Sequence, residues 1–327
     1  MKTRPLGRTA LTVTDFGLGG APLGNLYKAA SRKEAEATLA AAWEAGLRFF
    51  DTAPYYGAGL SERRMGDFLR DKPRDPYVLS TKVGRILEPI GRGPVPDYGF
   101  ADPLPFSVRY DYSYDGIMRS VEASYARLGR IDVLLIHDIG VYTHGAAATV
   151  GHLRDLFGSG LKALEELKSS GDIAAYGLGV NEVAICLEVL GRAPLDCILL
   201  AGRYTLLDRA GEADLLPLCR ARGTSIIVGG VFNSGILATG AAAGAHFDYG
   251  PAPEPVLGAV RRMEATATAN GIPLPAAALQ FPLRDPVVAS VLIGAAAPEL
   301  IHRNMALLAT PVPEAAWAAF DAAAINC

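Results

Sequence analysis

The chain has no apolar run approaching the ~20 residues that a membrane helix needs, so a membrane partner is not expected. Its opening stretch, MKTRPLGRTALTVTDF, lacks the apolar core of a secretory signal, and the cytoplasm is the expected location. Cysteine is scarce: Cys186, Cys197, Cys219 and Cys327, with no C-x-x-C pair among them. The first three sit in apolar or helical surroundings, and all are expected to be inert thiols outside any disulfide framework. The five histidines show no H-E-x-x-H or similar ligand spacing, so no metal site is expected. Excess charge is missing too. The formal net charge is -3, with acids and bases interspersed. Without a basic patch or an RNP-type aromatic pattern, nucleic acid is not expected as a partner. No linker or low-complexity stretch divides the sequence, which predicts one domain over residues 1–327, as a monomer or small homo-oligomer.

What is present is a large apolar fraction, 50% of 327 residues, ample for a buried core. It is distributed as short runs: FGLGG (16–20), RFFD (48–51), YVLSTK (77–82), DVLLIH (132–137), AYGLGV (175–180), CILLA (197–201), SIIVGG (225–230) and SVLIG (290–294). Continuous apolar runs of this length suit strands covered on both faces. Helical patterns lie between them. SRKEAEATLAAAWEAG opens on a Ser31 cap with Glu34 three residues on, and SERRMGDFLR places Ser61 in the same capping position. Strand–helix alternation argues for parallel βαβ units, and eight units predict an α/β fold of the (β/α)8 TIM-barrel type. A doubly wound sheet is the competing arrangement. Two connections are long, 83–112 after the third strand and 231–255 after the seventh. Both leave C-terminal strand ends, where barrel enzymes keep their active sites, and read as substrate walls or lids, or as surface decoration. The segment PVPEAAWAAFDAAA predicts an extra helix on or near the barrel mouth.

The strand ends carry an unusual set. Asp51 ends the second, Tyr56 follows in DTAPYYG, Lys82 ends the third and His137 ends the fourth. Each alone has a plainer role as a loop, surface or structural residue. Consecutive strand ends are neighbours around a barrel mouth, so the four would converge. A buried lysine and a buried aspartate make sense together, because an isolated buried charge is very costly. A free tyrosine titrates near ~10, and a neighbouring ammonium is expected to lower that value. Asp51 would hold Lys82, His137 would orient a substrate oxygen, and Tyr56 would act as general acid or base. The missing reagent is a hydride donor, which a nicotinamide cofactor provides.

The turn GLGGAPLG, reaching past Gly20, is not a G-x-G-x-x-G fingerprint, because Pro22 stands at its third glycine. A dinucleotide must be held otherwise. Asn181 suits the nicotinamide carboxamide, or equally the N-cap of the helix that follows it. GGVFNSGIL, with Gly230, Phe232, Asn233 and Ser234, offers flexible backbone and amide donors for a pyrophosphate. Gly294 and the helix starting near Pro298 could present free N–H groups to phosphate.

RPLGRTALTVTDFGLGG, FFDTAPYYGAGLSERRMG, LSTKVG, DVLLIHD, GLGVN and VLIGAAAPELIHRN together resemble the aldo-keto reductase family over nearly the whole chain. The resemblance implies a catalytic tetrad of Asp51, Tyr56, Lys82 and His137. It also implies departures. Ala201 stands where many relatives have a Gln behind the nicotinamide, and Gly229 where many have a stacking aromatic. The usual cations for a 2′-phosphate match Gly294 and Leu300, leaving Arg303 beside the matching Asn304. NAD is therefore expected as cofactor, with NADP possible. LAGRYTLLD and GGVFNSGIL resemble a subgroup of bacterial dehydrogenases acting on C1 of aldoses, with pyridoxal oxidation close by. The small-molecule substrate is thus a sugar or aldehyde, with Tyr55, Asp138 and Tyr142 as expected contacts. The rival chemistries are a general aldehyde reductase, a Schiff-base aldolase using Lys82, and a non-catalytic redox-sensing module.

Overall fold

The structure is a computed structural model that describes residues 1–73 and 75–325. Its centre is a closed barrel of eight parallel strands: β1 (Phe16–Gly19), β2 (Phe49–Asp51), β3 (Val78–Val83), β4 (Val133–His137), β5 (Ala175–Val180), β6 (Cys197–Ala201), β7 (Ser225–Gly229) and β8 (Val288–Gly294). Strand β8 closes the ring by pairing Val291–Gly294 with Phe16–Gly19 of β1. The (β/α)8 expectation is therefore correct and the doubly wound alternative is excluded.

Apolar residues alternate between two cores. One set, including Phe49, Val78, Val133, Leu135, Cys197, Ile227 and Leu292, fills the barrel interior. The other, including Leu79, Leu134, Ile136, Leu178 and Ile198, packs against the surrounding helices. Below, an antiparallel hairpin (Thr3–Pro5 with Thr12–Thr14) plugs the N-terminal ends of the strands. Its Leu6 and Val13 join the interior core. The Arg4 guanidinium fixes it by donating to the carbonyls of Val288 at 2.8 Å and Leu283 at 2.9 Å.

The helix Arg32–Glu44 starts on the expected capping box of Ser31 and Glu34. Ser61 does not cap. The helix Leu60–Leu69 begins after Gly59, and the Ser61 hydroxyl donates to the Gly20 carbonyl at 2.7 Å, tying the turn after β1 to the turn after β2. Three helices went unforeseen among the described residues, Val141–Asp155, Leu274–Gln280 and the four-residue Ile236–Thr239. The long connections are partly ordered: 83–112 contains an antiparallel hairpin (Arg85–Pro89 with Phe106–Tyr110), and 231–255 contains a short one (His246–Phe247 with Gly250–Pro251). The helix Glu314–Ala323 lies on the barrel flank, where Trp317 packs near Phe281. Only its end approaches the mouth, where Ile325 exchanges backbone hydrogen bonds with Leu207 and Arg209.

Cys186, Cys197 and Cys219 are buried free thiols. Burial raises all three, Cys219 to about 12, so they are inert as expected. Cys327 lies outside the described residues. Among the described residues no helix is long and apolar enough to cross a membrane.

Candidate active site

The C-terminal ends of the strands open into a cavity of about 750 Å³. Asp51, Tyr55, Tyr56, Lys82, His137 and Asp138 line it on one side. Strands β2, β3 and β4 are adjacent in the barrel, so Asp51, Lys82 and His137 stand side by side although far apart in sequence. The Lys82 ammonium donates to the Asp51 carboxylate at 2.7 Å and to the Thr52 carbonyl at 2.8 Å. The Ser80 hydroxyl donates to the other Asp51 oxygen at 2.7 Å. Lys82 Nζ lies 4.8 Å from the Tyr56 ring centroid, and the His137 ring stands edge-on to Tyr56 at 6.1 Å.

The turn carrying Tyr56 is held from below. Its amide donates to Ala53 at 3.1 Å, and its carbonyl accepts from Ser61 at 3.2 Å. Gly24, in the turn after β1, makes this position possible. A Cβ there would lie 2.5 Å from the Tyr56 carbonyl carbon.

The electrostatics differ from expectation in one respect. Lys82 does pull the Tyr56 hydroxyl down, but burial outweighs it and the net shift is upward. The wall around Tyr56 is too dry for one ammonium to make its phenol acidic at rest. Lys82 itself is raised, because Asp51 and Tyr56 overcome the burial that opposes its charge. A lysine held as ammonium is no amine nucleophile, which removes the basis for a Schiff-base aldolase. Burial drives His137 well below its ordinary value, with Arg85 and Lys82 adding to the effect, so its ring is neutral near pH 7. Its Nδ1 is buried with no hydrogen-bond partner, and its Nε2 lies 3.3 Å from Asp138 Oδ2.

The remaining cavity wall runs along β5 to β8. Asn181, Gly230, Phe232, Asn233, Ser234, Gly294 and Gly20 all line it. Asn181 is not an N-cap: Glu182 occupies that position before the helix Val183–Arg192. The Asn233 side chain is engaged by the protein, accepting from Thr205 at 2.5 Å and donating to Gly202 at 3.0 Å. Asn304 is buried in the helix Pro298–Ala309 and is not among the cavity-lining residues. Ala201 and Gly229 leave the floor beside the tetrad without long side chains. No side chain caps the start of Pro298–Ala309. The small residues Gly20, Ala201, Gly229, Gly230 and Gly294 along this wall leave room for a dinucleotide.

Aromatic residues enclose the entrance. Tyr55 packs against Tyr98 and Phe100, each at 5.5 Å between centroids. Tyr142 and Tyr249 line the rim and are exposed. Arg203, after β6, bridges to Asp248 at the tip of the 231–255 connection at 2.7 Å, and its Nε donates to the Asn181 carbonyl at 2.8 Å. Both long connections therefore wall the cavity. Sequence reasoning missed Arg85, Arg203 and Asp248. Only the RYT and FDYG segments hint at the last two, and nothing in the spacing pairs them.

Residues 15–325 match the aldo/keto reductase family. The chain is 46% identical to the pyridoxal 4-dehydrogenase of Microbacterium luteolum, over 96% of this chain and 95% of that protein. It is 38% identical to the D-threo-aldose 1-dehydrogenase of a Pseudomonas species, over 97% and 96%. Among solved structures it resembles an aldo-keto reductase from Bacillus halodurans in its holo form, with TM-score 0.77 and 25% identity, over 100% of this chain and 97% of that one. From fold, strand-end geometry and these matches together, the chain is an oxidoreductase and belongs to the aldo/keto reductase family.

Proposed function

We propose that this protein oxidises an aldose of the L-fucose, D-arabinose or L-galactose type at C1, giving the lactone, with NAD as cofactor in the cytoplasm. The observation that carries the reading is the Asp51–Lys82 pair at 2.7 Å beneath Tyr56, facing His137 across one mouth. A nicotinamide supplies or takes up the hydride, which no side chain can do. Gly20, Asn181, Gly230, Phe232, Ser234 and Gly294 would hold it. Asn233 would shape its loop rather than offer a free amide, and Asn304 would act from behind the wall.

The chain's own residues handle the proton. Neutral His137 positions the reacting oxygen. As the phenolate, Tyr56 takes the anomeric hydroxyl proton while C1 becomes a carbonyl; as the phenol, it gives that proton to the substrate oxygen in reduction. Lys82 favours the phenolate transiently formed, and Asp51 keeps Lys82 charged and fixed. Tyr55, Asp138 and Tyr142 are placed to contact substrate. No cation stands at Gly294 or Leu300, and exposed Arg303 is the nearby one in sequence. NAD+ should therefore serve at least as well as NADP+.

A second reading is pyridoxal oxidation. It is favoured by the 46% identical relative and by the aromatic wall of Tyr55, Tyr98 and Phe100. Following NADH absorbance with L-fucose, D-arabinose, L-galactose and pyridoxal separates the two. The aldose reading requires at least one sugar to exceed pyridoxal in kcat/KM. A hundredfold preference for NADP+ would overturn the cofactor assignment.

A further inference from the structure

Arg85 lines the mouth without being a proton carrier or one of the residues assigned to the cofactor. It follows Gly84, whose φ of +95° turns the chain inward at the end of β3. No other residue fits there, since a Cβ on Gly84 would lie 2.2 Å from the Tyr112 ring. The turned chain buries the Arg85 side chain to 4% exposure in the cavity wall. Its guanidinium stacks on the Tyr55 ring, 4.0 Å from the centroid, and donates to Asp138 Oδ2.

Asp138 is itself unusual. It directly follows His137 yet has a left-handed backbone, with φ of +42°. The turn is held by its amide donating to the Gly179 carbonyl at 2.9 Å. Strained backbone of this kind costs free energy and persists where its surroundings enforce it. Here it folds the carboxylate back over the imidazole, leaving Asp138 Oδ2 3.3 Å from His137 Nε2. The Tyr112 hydroxyl adds a further hold by donating to the His137 carbonyl at 2.7 Å. Arg85, Tyr55 and Tyr112 thus fix two polar atoms side by side at the reacting centre.

Side by side, the two atoms match two oxygens on adjacent carbons. We infer that Asp138, held in place by Arg85, reads a hydroxyl on the carbon next to the reacting carbon, and so selects 2-hydroxylated carbonyl substrates and their cyclic forms. An ionised carboxylate only accepts hydrogen bonds, so it rewards a hydroxyl. It repels a carboxylate or phosphate in the same place. Burial raises the Asp138 carboxyl on balance, with the Arg85 and Lys82 charges opposing the rise; the Arg85 guanidinium donating to Oδ2 is the contact that favours the acceptor form. Asp138 is then a specificity residue, and Arg85 a positioning residue acting through it. The inference rests on the aldose reading above and names the feature of an aldose that the site detects.

The test uses two isomers, 2-hydroxypropanal and 3-hydroxypropanal, reduced by the full-length enzyme with NADH. They share size and composition and differ only in hydroxyl position. The native enzyme should favour the 2-isomer in kcat/KM by about tenfold or more, in the range one buried hydrogen-bonding group can discriminate. In Asp138→Asn the ratio should collapse to about twofold, because 2-hydroxypropanal loses several-fold more kcat/KM than 3-hydroxypropanal does. Arg85→Lys should lower the ratio part-way. If Asp138 serves only to orient His137, both isomers fall together in Asp138→Asn and the inference is wrong. Equal efficiencies in the native enzyme would overturn it without any variant. Turnover of pyridoxal and propanal with no preference between the isomers would sink this inference while leaving the dehydrogenase intact. Failure on every aldehyde and sugar would sink both.

Discussion

Tyr56 sits between two opposing influences, and its chemistry follows from which is larger. Burial raises its pKa from the ordinary value near ~10, and Lys82 offsets only part of the rise. The hydroxyl is therefore protonated through the neutral range, ready as an acid and reluctant as a base. Reduction should be flat across neutral pH and decline only when alkali strips the phenol. Oxidation needs the phenolate, so its kcat/KM should climb with pH into and beyond the ordinary tyrosine range. His137 is held neutral well below pH 6.5, so neither profile should bend near the histidine value. A clear inflection there, moved by His137→Gln, would contradict the neutral assignment. Tyr56→Phe removes the proton donor and little else. Turnover should fall by roughly a hundredfold to ten-thousandfold, while NADH affinity from fluorescence titration stays within about twofold.

At the scale of elements, the site depends on turns that touch. The turn after β1 packs through Gly24 onto the Tyr56 backbone, and Ser61 bonds back to Gly20. Gly24→Ala would force these turns apart. Overpacking of this kind costs typically ~1–3 kcal/mol, and here part of the response should be displacement of Tyr56. The expected result is a lower kcat with a modestly lower melting temperature. Unchanged kcat would mean that the turns yield elsewhere. The opposite wall is closed by the Arg203–Asp248 bridge at 2.7 Å. That contact joins the connections after β6 and β7, and no periodicity in either segment announces it. The helix Val141–Asp155 escaped sequence reading for a related reason. Gly145, with φ of 70° and ψ of 162°, interrupts it, and GAAATVG presents little apolar periodicity. By contrast AYGLGV and CILLA match β5 and β6 residue for residue, because each is a short uncharged run bounded by helical patterns, as a strand covered on both faces requires.

Over the whole molecule, the barrel and the convergence of Asp51, Tyr56, Lys82 and His137 were legible because strand ends in a closed ring are neighbours by construction. What spacing could not convey was depth. The sign of the Tyr56 shift depends on how dry its surroundings are, and the pairing of Arg85 with Asp138 depends on a turn at Gly84. Acid stability is a property of the same burial. His137 is held well below its ordinary value, His152 is lowered and His144 is lowered to about 4. Unfolded chains bind protons at these positions below about pH 6.5, whereas the folded protein resists. Stability from this source is complete above pH 6.5 and is lost as pH falls toward 4. Urea midpoints should drop across that window, and His144→Gln should soften the drop. The floor hairpin can be probed separately. Leu6→Ala removes a fully buried side chain from the barrel interior and should cost about 2–5 kcal/mol with KM unchanged.

Because that hairpin stoppers the lower end, the cavity behaves as a vessel opening at the opposite end of the barrel. Immobilising it on a bead or electrode through the hairpin's outer surface would leave the entrance facing bulk liquid. Attachment near Tyr249 or Tyr142 would instead choke traffic in both directions.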